Sequence, residues 1–199
     1  MILGRPAVWE LSRIALDAAF GLYRKRKALL AQWGVLAGSP SVLDIGCGIG
    51  QYAEITDGEY LGIDVNCTYV AHARRRRGGP RKSFECIDAS ALASEERRFD
   101  VAIMVDFLHH VPDEEGLTVL SAAARLAPRC VVALEPVLDQ ESRLGRWFIR
   151  NDRGEHMRGQ SDLLALFERA GLQVRADQPL RLGAIATRAI RSAAPVHHS

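Results

Sequence analysis

The stretch Ser41–Gln51, SVLDIGCGIGQ, decides the fold of this 199-residue chain. Its first half is rich in strand-forming residues, and its second half turns on Gly46, Gly48 and Gly50. Glycine adopts positive φ and has no Cβ, so a ligand can lie directly against its backbone. A strand that ends in such a turn and continues into a helix is typical of the nucleotide-binding corner of a doubly wound α/β sheet.

The spacing of the glycines discriminates between ligands. Dinucleotide-binding proteins have G-x-G-x-x-G, which lets a helix N-terminus approach a pyrophosphate. This chain has G-x-G-x-G, with Gln51 at the position of that third glycine. The string VLDIGCGIG resembles motif I of the class I S-adenosylmethionine (SAM) methyltransferases, whose ligand carries no phosphate; a turn that merely reverses the chain is the alternative. The resemblance implies that the following residues bind the cofactor: Asp44, Gly46, Cys47, Gly48 and Gln51.

A second strand is predicted over Tyr60–Val65, YLGIDV, and contains an acid near its end. A carboxylate offers two acceptor oxygens, which suits the vicinal hydroxyls of a ribose. The segment resembles motif II of the same family. The resemblance implies that Asp64 binds the ribose and that Val65 contacts the cofactor, whereas an acid that only begins a turn is the alternative.

A third strand is predicted over Lys82–Ile87 and leads to Asp88 and Ala89. This pair resembles motif III, which implies that both residues contact the adenine. Asp88 is also well suited to cap a helix that starts at Ser90, because Asp is a favoured N-cap residue. The two roles are compatible.

The apolar run Phe99–Val105, FDVAIMV, predicts a central parallel strand that is buried on both faces. It resembles motif IV, which implies that the backbone of Met104 and Val105 faces the methionine part of the cofactor. His109 follows at the expected acceptor side. Because histidine titrates near neutral pH, His109 is the first candidate for a general base. The alternative is that His109 or His110 bonds locally and fixes the loop.

A polar stretch over residues 139–159 is predicted to be irregular and is long for a connector, as binding loops often are. His156 lies in it and is the second catalytic candidate. Four further residues could contact the acceptor at the same rim: Asp106, Glu135, Glu155 and Arg158.

The order of the elements predicts a Rossmann-like, doubly wound α/β fold with seven strands. We expect a single domain with a helical cap over 1–38, a core over 41–187 whose last strand is 181–187, and a frayed tail over 188–199. The family resemblance adds a mostly parallel sheet with an antiparallel last strand and helices on both faces. It also implies that the cap lies near the cofactor, where the candidate contacts are Trp9, Tyr23 and Arg24.

The composition is that of an ordinary globular protein, with 48% hydrophobic and 25% charged residues and a net charge of +2. Its four cysteines form no C-x-x-C pair, which predicts reduced thiols in a cytoplasmic protein and no metal site. No apolar run has membrane-spanning length. The basic runs at 24–27 and 74–77 are expected to be solvated, with nucleic-acid binding as the less favoured alternative.

The region after the fourth predicted strand narrows the substrate class. The family's nucleic-acid amino-methylating members carry a Pro-Pro motif there and its cytosine-5 members carry Pro-Cys, whereas this chain has Val105-Asp106-Phe107-Leu108. We therefore predict a SAM-dependent enzyme that moves a methyl group to an O, N or C atom of a small-molecule acceptor, without a metal, and releases S-adenosylhomocysteine. RNA or protein methylation, and SAM binding by an accessory protein without methyl transfer, stay open.

Overall fold

The computed structural model describes residues 11, 14–15, 17–18, 21–140, 142–151 and 154–195. Their strands form a single seven-stranded sheet. The strands are β1 (Val42–Ile45), β2 (Tyr60–Asp64), β3 (Lys82–Cys86), β4 (Val101–Val105), β5 (Val131–Pro136), β6 (Gln173–Leu182) and β7 (Ile185–Ala193).

Five α-helices have defined bounds from residue 22 onward, and the described residues at 11, 14–15 and 17–18 are helical as well. The five are α1 (Leu22–Gln32), α2 (Cys67–Arg77), α3 (Asp113–Leu126), α4 (Arg143–Arg150) and α5 (Gln160–Arg169). Gly21, with φ +64°, precedes α1 and interrupts the helical pattern there, as glycine often does. Short 3₁₀ turns lie at Ala53–Ile55, Ala89–Ser94 and Leu108–His110.

The strands run in the order β3-β2-β1-β4-β5-β7-β6. Strands β1 to β5 pair in parallel, and β7 pairs antiparallel with both β5 and β6. The predicted mixed sheet with an antiparallel last strand is therefore confirmed. The strand order reverses between β1 and β4, and ligands of such sheets bind at the carboxyl ends of the strands beside this switch point.

Helices cover both faces of the sheet. Successive side chains of a strand point to opposite faces, and along β4 Met104 joins the hydrophobic cluster that contains Phe167 of α5. Its neighbour Ile103 joins the other cluster, which contains Leu30 of α1 and Val70 of α2. The two helical layers hold the strand ends in fixed positions.

The C-terminal hairpin differs from the prediction. A strand over 181–187 was expected, but Gly183 and Ala184 form the turn between β6 and β7, and β7 continues to Ala193. The fraying expected from residue 188 is therefore wrong for 188–193, while 196–199 lie outside the described residues. Two charged residues in β7 made this segment resemble an exposed tail in the sequence. In the structure both have partners: Arg188 pairs with Asp177, and Arg191 donates to the carbonyl oxygen of Trp33.

Two other segments bear on the predictions. The stretch 139–159 is not irregular throughout, because it contains α4. In the expected cap over 1–38, the structure gives α1, whereas Trp9 lies outside the described residues.

The described helices include none long and apolar enough to cross a bilayer, and the described side chains include no group of three or more His, Cys, Asp or Glu placed to hold a metal ion.

The cysteines correct the prediction of four reduced thiols. Cys67 and Cys86 form a disulfide, while Cys47 and Cys130 are free. The pairing arises because β2 and β3 are neighbours, with Asp64 opposite Cys86, and α2 begins at Cys67 just beyond. The Cα atoms of the pair are consequently 5.0 Å apart although 19 positions separate them in the sequence.

Candidate cofactor and acceptor site

The three glycines after β1 all have positive φ, but they serve different purposes. A Cβ on Gly46 would lie 2.5 Å from Cδ2 of Phe107, and one on Gly50 would lie 2.6 Å from Cε1 of Phe84. These two glycines let side chains pack against the loop. A Cβ on Gly48 would meet no atom within 4 Å. Gly48 therefore presents bare backbone to open space, as a ligand-binding loop requires.

Asp64 joins this loop to the end of β2. Its Oδ2 accepts a hydrogen bond from the backbone N–H of Gly48 at 2.8 Å, and its Oδ1 accepts one from Asn66 N at 2.8 Å. The next residue, Val65, is 72% exposed, which is unusual for a large aliphatic side chain beside a buried strand. A half-buried carboxylate, an open backbone segment and an exposed apolar surface thus lie side by side.

Asp88 has the capping role that was the alternative for it. Its Oδ1 accepts a hydrogen bond from Ser90 N at 2.8 Å at the start of the Ala89–Ser94 turn. Hydrogen bonds from the side chain and backbone of Ser90 lower the pKa of Asp88, so the carboxylate is charged at neutral pH. Asp88 is exposed and Ala89 half-buried, and their contact with an adenine stays a prediction.

Asp44 lies beneath the loop, in the core. It is 1% exposed, and the hydroxyl of Tyr60 donates to its Oδ2 at 2.5 Å. Burial raises the pKa of Asp44 to about 7. Cys47 is also buried, and burial raises the pKa of its thiol well above the ordinary value, while Gln51 is half-buried at the end of the loop. The side chains of Asp44 and Cys47 are thus buried in the core, and the contact of Asp44, Cys47 and Gln51 with the cofactor stays a prediction.

The end of β4 is closed by an ion pair that the sequence did not suggest. Met104 and Val105 are buried, and Asp106 follows with φ +54°, rare for a residue other than glycine. Both oxygens of Asp106 accept from Arg26 of α1, at 2.5 and 2.9 Å. Arg26 is 2% exposed; burial lowers its pKa, but the combined interactions with Asp106 and Tyr52 outweigh burial and raise the pKa. Arg26 was expected on a solvated basic face, yet it shares the buried side of α1 with Leu29.

His109 and Glu135 form a second closed pair. Nδ1 of His109 lies 2.8 Å from Oε2 of Glu135, and Oε1 of Glu135 accepts from the backbone N–H groups of Phe107 and Leu108 at 2.9 Å each. His109 is 4% exposed, and the centroid of its ring lies 4.1 Å from the centroid of the His110 ring. The local bonding that was the alternative for His109 is therefore present. The role of His109 as a base stays a prediction.

The segment after α4 covers this pair. The backbone N–H of His156 donates to the carbonyl oxygen of His109 at 3.0 Å, and a Cβ on Gly154 would overlap the His109 ring. Arg158 is buried and donates to the carbonyl oxygens of Leu108 and Val111 at 2.6 and 2.9 Å. Its Nε also bonds Asp113, whose pKa this contact lowers. Arg158 holds the protein together here, so its expected availability to an acceptor is not observed.

Asp106 and Glu135 are likewise engaged within the protein, contrary to the expectation that they receive a cationic acceptor. The residues that sequence reasoning missed are Arg26 and Tyr60. Arg26 had one usable signal, since it precedes Leu29 and Leu30 at helical spacing. The bond of Tyr60 to Asp44 had none, because it joins two different strands.

Comparison with known proteins adds a family match. A family model described as a methyltransferase domain matches residues 17–177. The chain is 37% identical over 98 residues to a ubiquinone biosynthesis O-methyltransferase of Methylococcus capsulatus. This aligned region covers 46% of this chain and 40% of that protein. It is 36% identical over 88 residues to phosphoethanolamine N-methyltransferase 1 of Triticum aestivum, or 41% of this chain and 18% of that protein. The matched regions thus span less than half the length of these relatives.

A solved structure gives the same fold. The crystal structure of magnesium protoporphyrin IX methyltransferase from Synechocystis PCC 6803 with bound S-adenosylhomocysteine superposes with a TM-score of 0.65 at 20% identity. The alignment covers 92% of this chain and 84% of that one. At this level of identity, the likeness concerns the fold.

Proposed function

Because this chain belongs to the methyltransferase-domain family, we propose that it transfers a methyl group from SAM to an O, N or C atom of a small-molecule acceptor. One observation carries the proposal. The loop after β1 presents the open backbone of Gly48, hydrogen-bonded to Asp64 and adjacent to the exposed Val65. This arrangement combines a surface for close approach, an acceptor for hydroxyls and an apolar contact.

These residues fit the parts of SAM. Asp64, at the end of β2, would accept from the ribose hydroxyls, and the exposed Val65 would offer an apolar surface for the base. Asp88 would meet the exocyclic amino group of the adenine. The backbone of Met104 and Val105 would face the methionine part. When bound, SAM supplies a methyl group activated by its positively charged sulfur.

The chain's own contribution is to position the acceptor. The carboxyl end of β4 lies next to that of β1, where the glycine loop begins, and β5 follows β4, so an acceptor held at these strand ends would adjoin the cofactor. If the acceptor must lose a proton, His109 is the first candidate, and Glu135 orients its ring, because Oε2 of Glu135 lies 2.8 Å from Nδ1. His156, whose backbone bonds that of His109, is the second candidate in this proposal.

The acceptor we propose is small and partly apolar. The names of the two relatives refer to phosphoethanolamine and to ubiquinone biosynthesis, both of which concern small molecules. Beyond β5, Leu138, Leu144 and Trp147 are 51%, 54% and 56% exposed. Leu138 follows β5, and Leu144 and Trp147 lie on α4, so the chain has exposed apolar side chains after β5, which supports an acceptor with an aromatic or aliphatic portion.

Calorimetric titration with SAM and with S-adenosylhomocysteine tests the proposal. We expect both to bind, and Asp64→Ala to weaken binding by about ten- to a hundredfold, because hydrogen bonds to a charged group are worth about 1.5–3 kcal/mol. Asp57→Ala, which removes an exposed carboxylate from a turn, is the matched control and should bind normally. Binding unaffected by Asp64→Ala would remove Asp64 from the ribose role. Absence of binding would overturn the proposal.

Turnover separates methyl transfer from the two alternatives. Labelled methyl groups should appear in a small-molecule acceptor from a library of phenols, amines and acidic carbon compounds. Binding of SAM without transfer to any acceptor would favour an accessory protein, and transfer to RNA or protein would favour the other alternative. We further propose a cytoplasmic location, which recovery of the protein outside the cytoplasmic fraction would contradict.

A further inference from the structure

The disulfide lies between the two segments to which the proposed function assigns the nucleoside. Cys67 is the first residue of α2 and comes three residues after Asp64. Cys86 is the last residue of β3 and comes two residues before Asp88. The bond therefore ties the segment that carries Asp64 and Val65 to the segment that carries Asp88.

We propose that Cys67 and Cys86 are a thiol–disulfide modification site, and that its redox state sets the affinity of the neighbouring pocket for SAM. The inference rests on the proposed function, because it concerns the same pocket. It gives a purpose to a covalent bond that the methyl-transfer chemistry does not use.

Cys67 and Cys86 are more accessible to thiol chemistry than the other two cysteines. Cys67 is exposed and Cys86 is half-buried, and exposed disulfides are the more easily reduced. Cys47 is buried, and burial raises the pKa of Cys130 to about 11. Thiolates at these two positions are therefore scarce at neutral pH, and thiol chemistry is directed to the pair.

The reaction is an ordinary exchange with a dithiol reductant. A thiolate of the reductant attacks the sulfur of Cys67, the Cys67–Cys86 bond breaks, and Cys86 leaves as a thiolate that takes up a proton. The second thiolate of the reductant then attacks the mixed disulfide and releases Cys67, which is protonated in turn. Two electrons pass to the protein, and the reductant leaves as a disulfide. The carbonyl oxygen of Val65, 3.7 Å from the sulfur of Cys86, can accept from the new thiol.

The oxidised form should bind more tightly. The segment 64–67 is held by a chain of local contacts, in which Asp64 accepts from Asn66 N and the Asn66 side chain caps α2 by accepting from Thr68 N and Tyr69 N. The disulfide anchors this segment to β3. Reduction removes the anchor, so binding must then order a looser segment, and ordering lowers affinity. We expect reduction to weaken binding about fivefold, at the lower end of usual coupling between two sites.

The test is titration of the full chain with S-adenosylhomocysteine in its oxidised and its dithiol-reduced forms. The oxidised protein should bind about fivefold more tightly. Cys67→Ser with Cys86→Ser should bind like the reduced protein and no longer respond to reductant. Cys130→Ser is the matched control, because it removes a free thiol before β5 and should respond as the unaltered protein does.

The outcomes distinguish the two proposals. Equal affinity in both redox states would overturn the inference alone, as would four free thiols by mass spectrometry after mild oxidation. Absence of binding in both states would overturn the proposed function and the inference with it. Linkage supplies an independent check: the ligand must make the disulfide harder to reduce by the same factor, and a fivefold effect corresponds to about 20 mV at 29.6 mV per tenfold change. An unchanged potential would contradict the inference.

Discussion

The carboxyl edge of the sheet has an open side and a closed side. On the open side, at the ends of β1, β2 and β3, Gly48 faces empty space and Val65 and Asp88 are exposed. On the closed side, at the ends of β4 and β5, the charged groups are engaged with one another. Its three pairs are Arg26–Asp106, His109–Glu135 and Arg158–Asp113.

The difference separates two kinds of polar residue. Groups on the open side can exchange a backbone partner for a ligand with little rearrangement. Groups on the closed side are mostly buried, and a buried polar group that loses its partner is strongly unfavourable. Substitutions on the open side should therefore change cofactor affinity first, whereas substitutions on the closed side should change stability first.

The largest effect is expected on the closed side, from Glu135→Ala. Glu135 is 1% exposed and accepts from two backbone N–H groups while pairing with His109. Its loss removes the partner of three groups, two of them buried, and we expect the free energy of unfolding to fall by about 3–5 kcal/mol, as when a buried pair is broken. Urea unfolding measures this. Arg129→Ala, which breaks the exposed pair with Asp100, should change stability by about 1 kcal/mol or less. If the Glu135→Ala protein were as stable as the Arg129→Ala protein, the buried pair at the ends of β4 and β5 would not stabilise the fold.

The next effect is expected on the open side, from Gly48→Val. The new side chain would occupy the space that faces the ligand, and we expect SAM affinity to fall by about a hundredfold or more, equivalent to roughly 2.7 kcal/mol. Positive φ adds strain, so stability should also fall by about 1–2 kcal/mol.

Gly34→Val is the matched control for that substitution. Gly34 also has positive φ and open space around it, but it lies just after α1 in the exposed part of the chain. It should show the same loss of stability and unchanged binding in calorimetry. If both variants lost affinity equally, strain rather than contact would explain the effect, and the loop would not be a ligand surface.

Sequence reasoning succeeded on the open side because its features are local. The strand–glycine turn of residues 41–51 and the capping of Asp88 depend on neighbours within a few positions. The helix α3, Asp113–Leu126, has a local signal of the same kind, because three acidic residues occupy its first turn.

Sequence reasoning failed on the closed side because its contacts are distant in the chain. Arg26 is 80 positions from Asp106, and although its spacing to Leu29 and Leu30 indicates a buried position, nothing local indicates Asp106 as its partner. The disulfide has the same character, since strand pairing alone brings Cys67 near Cys86. Local patterns specify the elements and their ends, whereas partners across elements depend on how the elements assemble.

The smallest effect concerns Asp44, a buried carboxyl beneath the open side, and it appears in the pH dependence of stability. Burial raises the pKa of Asp44 to about 7, whereas an unfolded chain has about 3.9. Between these values the folded protein binds more protons than the unfolded one, so this contribution to stability is complete below pH 4 and is lost as the pH rises to 7. Asp44→Asn lacks the titration. We therefore expect the stability of the unaltered protein, relative to this variant, to fall by roughly 2.6 kcal/mol between pH 5 and pH 8.

Urea unfolding of both proteins at several pH values measures this difference, in which the titration of other groups cancels. Asp57→Asn, at an exposed position, should give a difference that does not vary with pH. A flat difference for Asp44→Asn would mean that Asp44 is ionised in the folded protein. The hydroxyl of Tyr60 would then stabilise a buried charge. In that case both sides of the sheet edge would contain charged groups that are bonded within the protein.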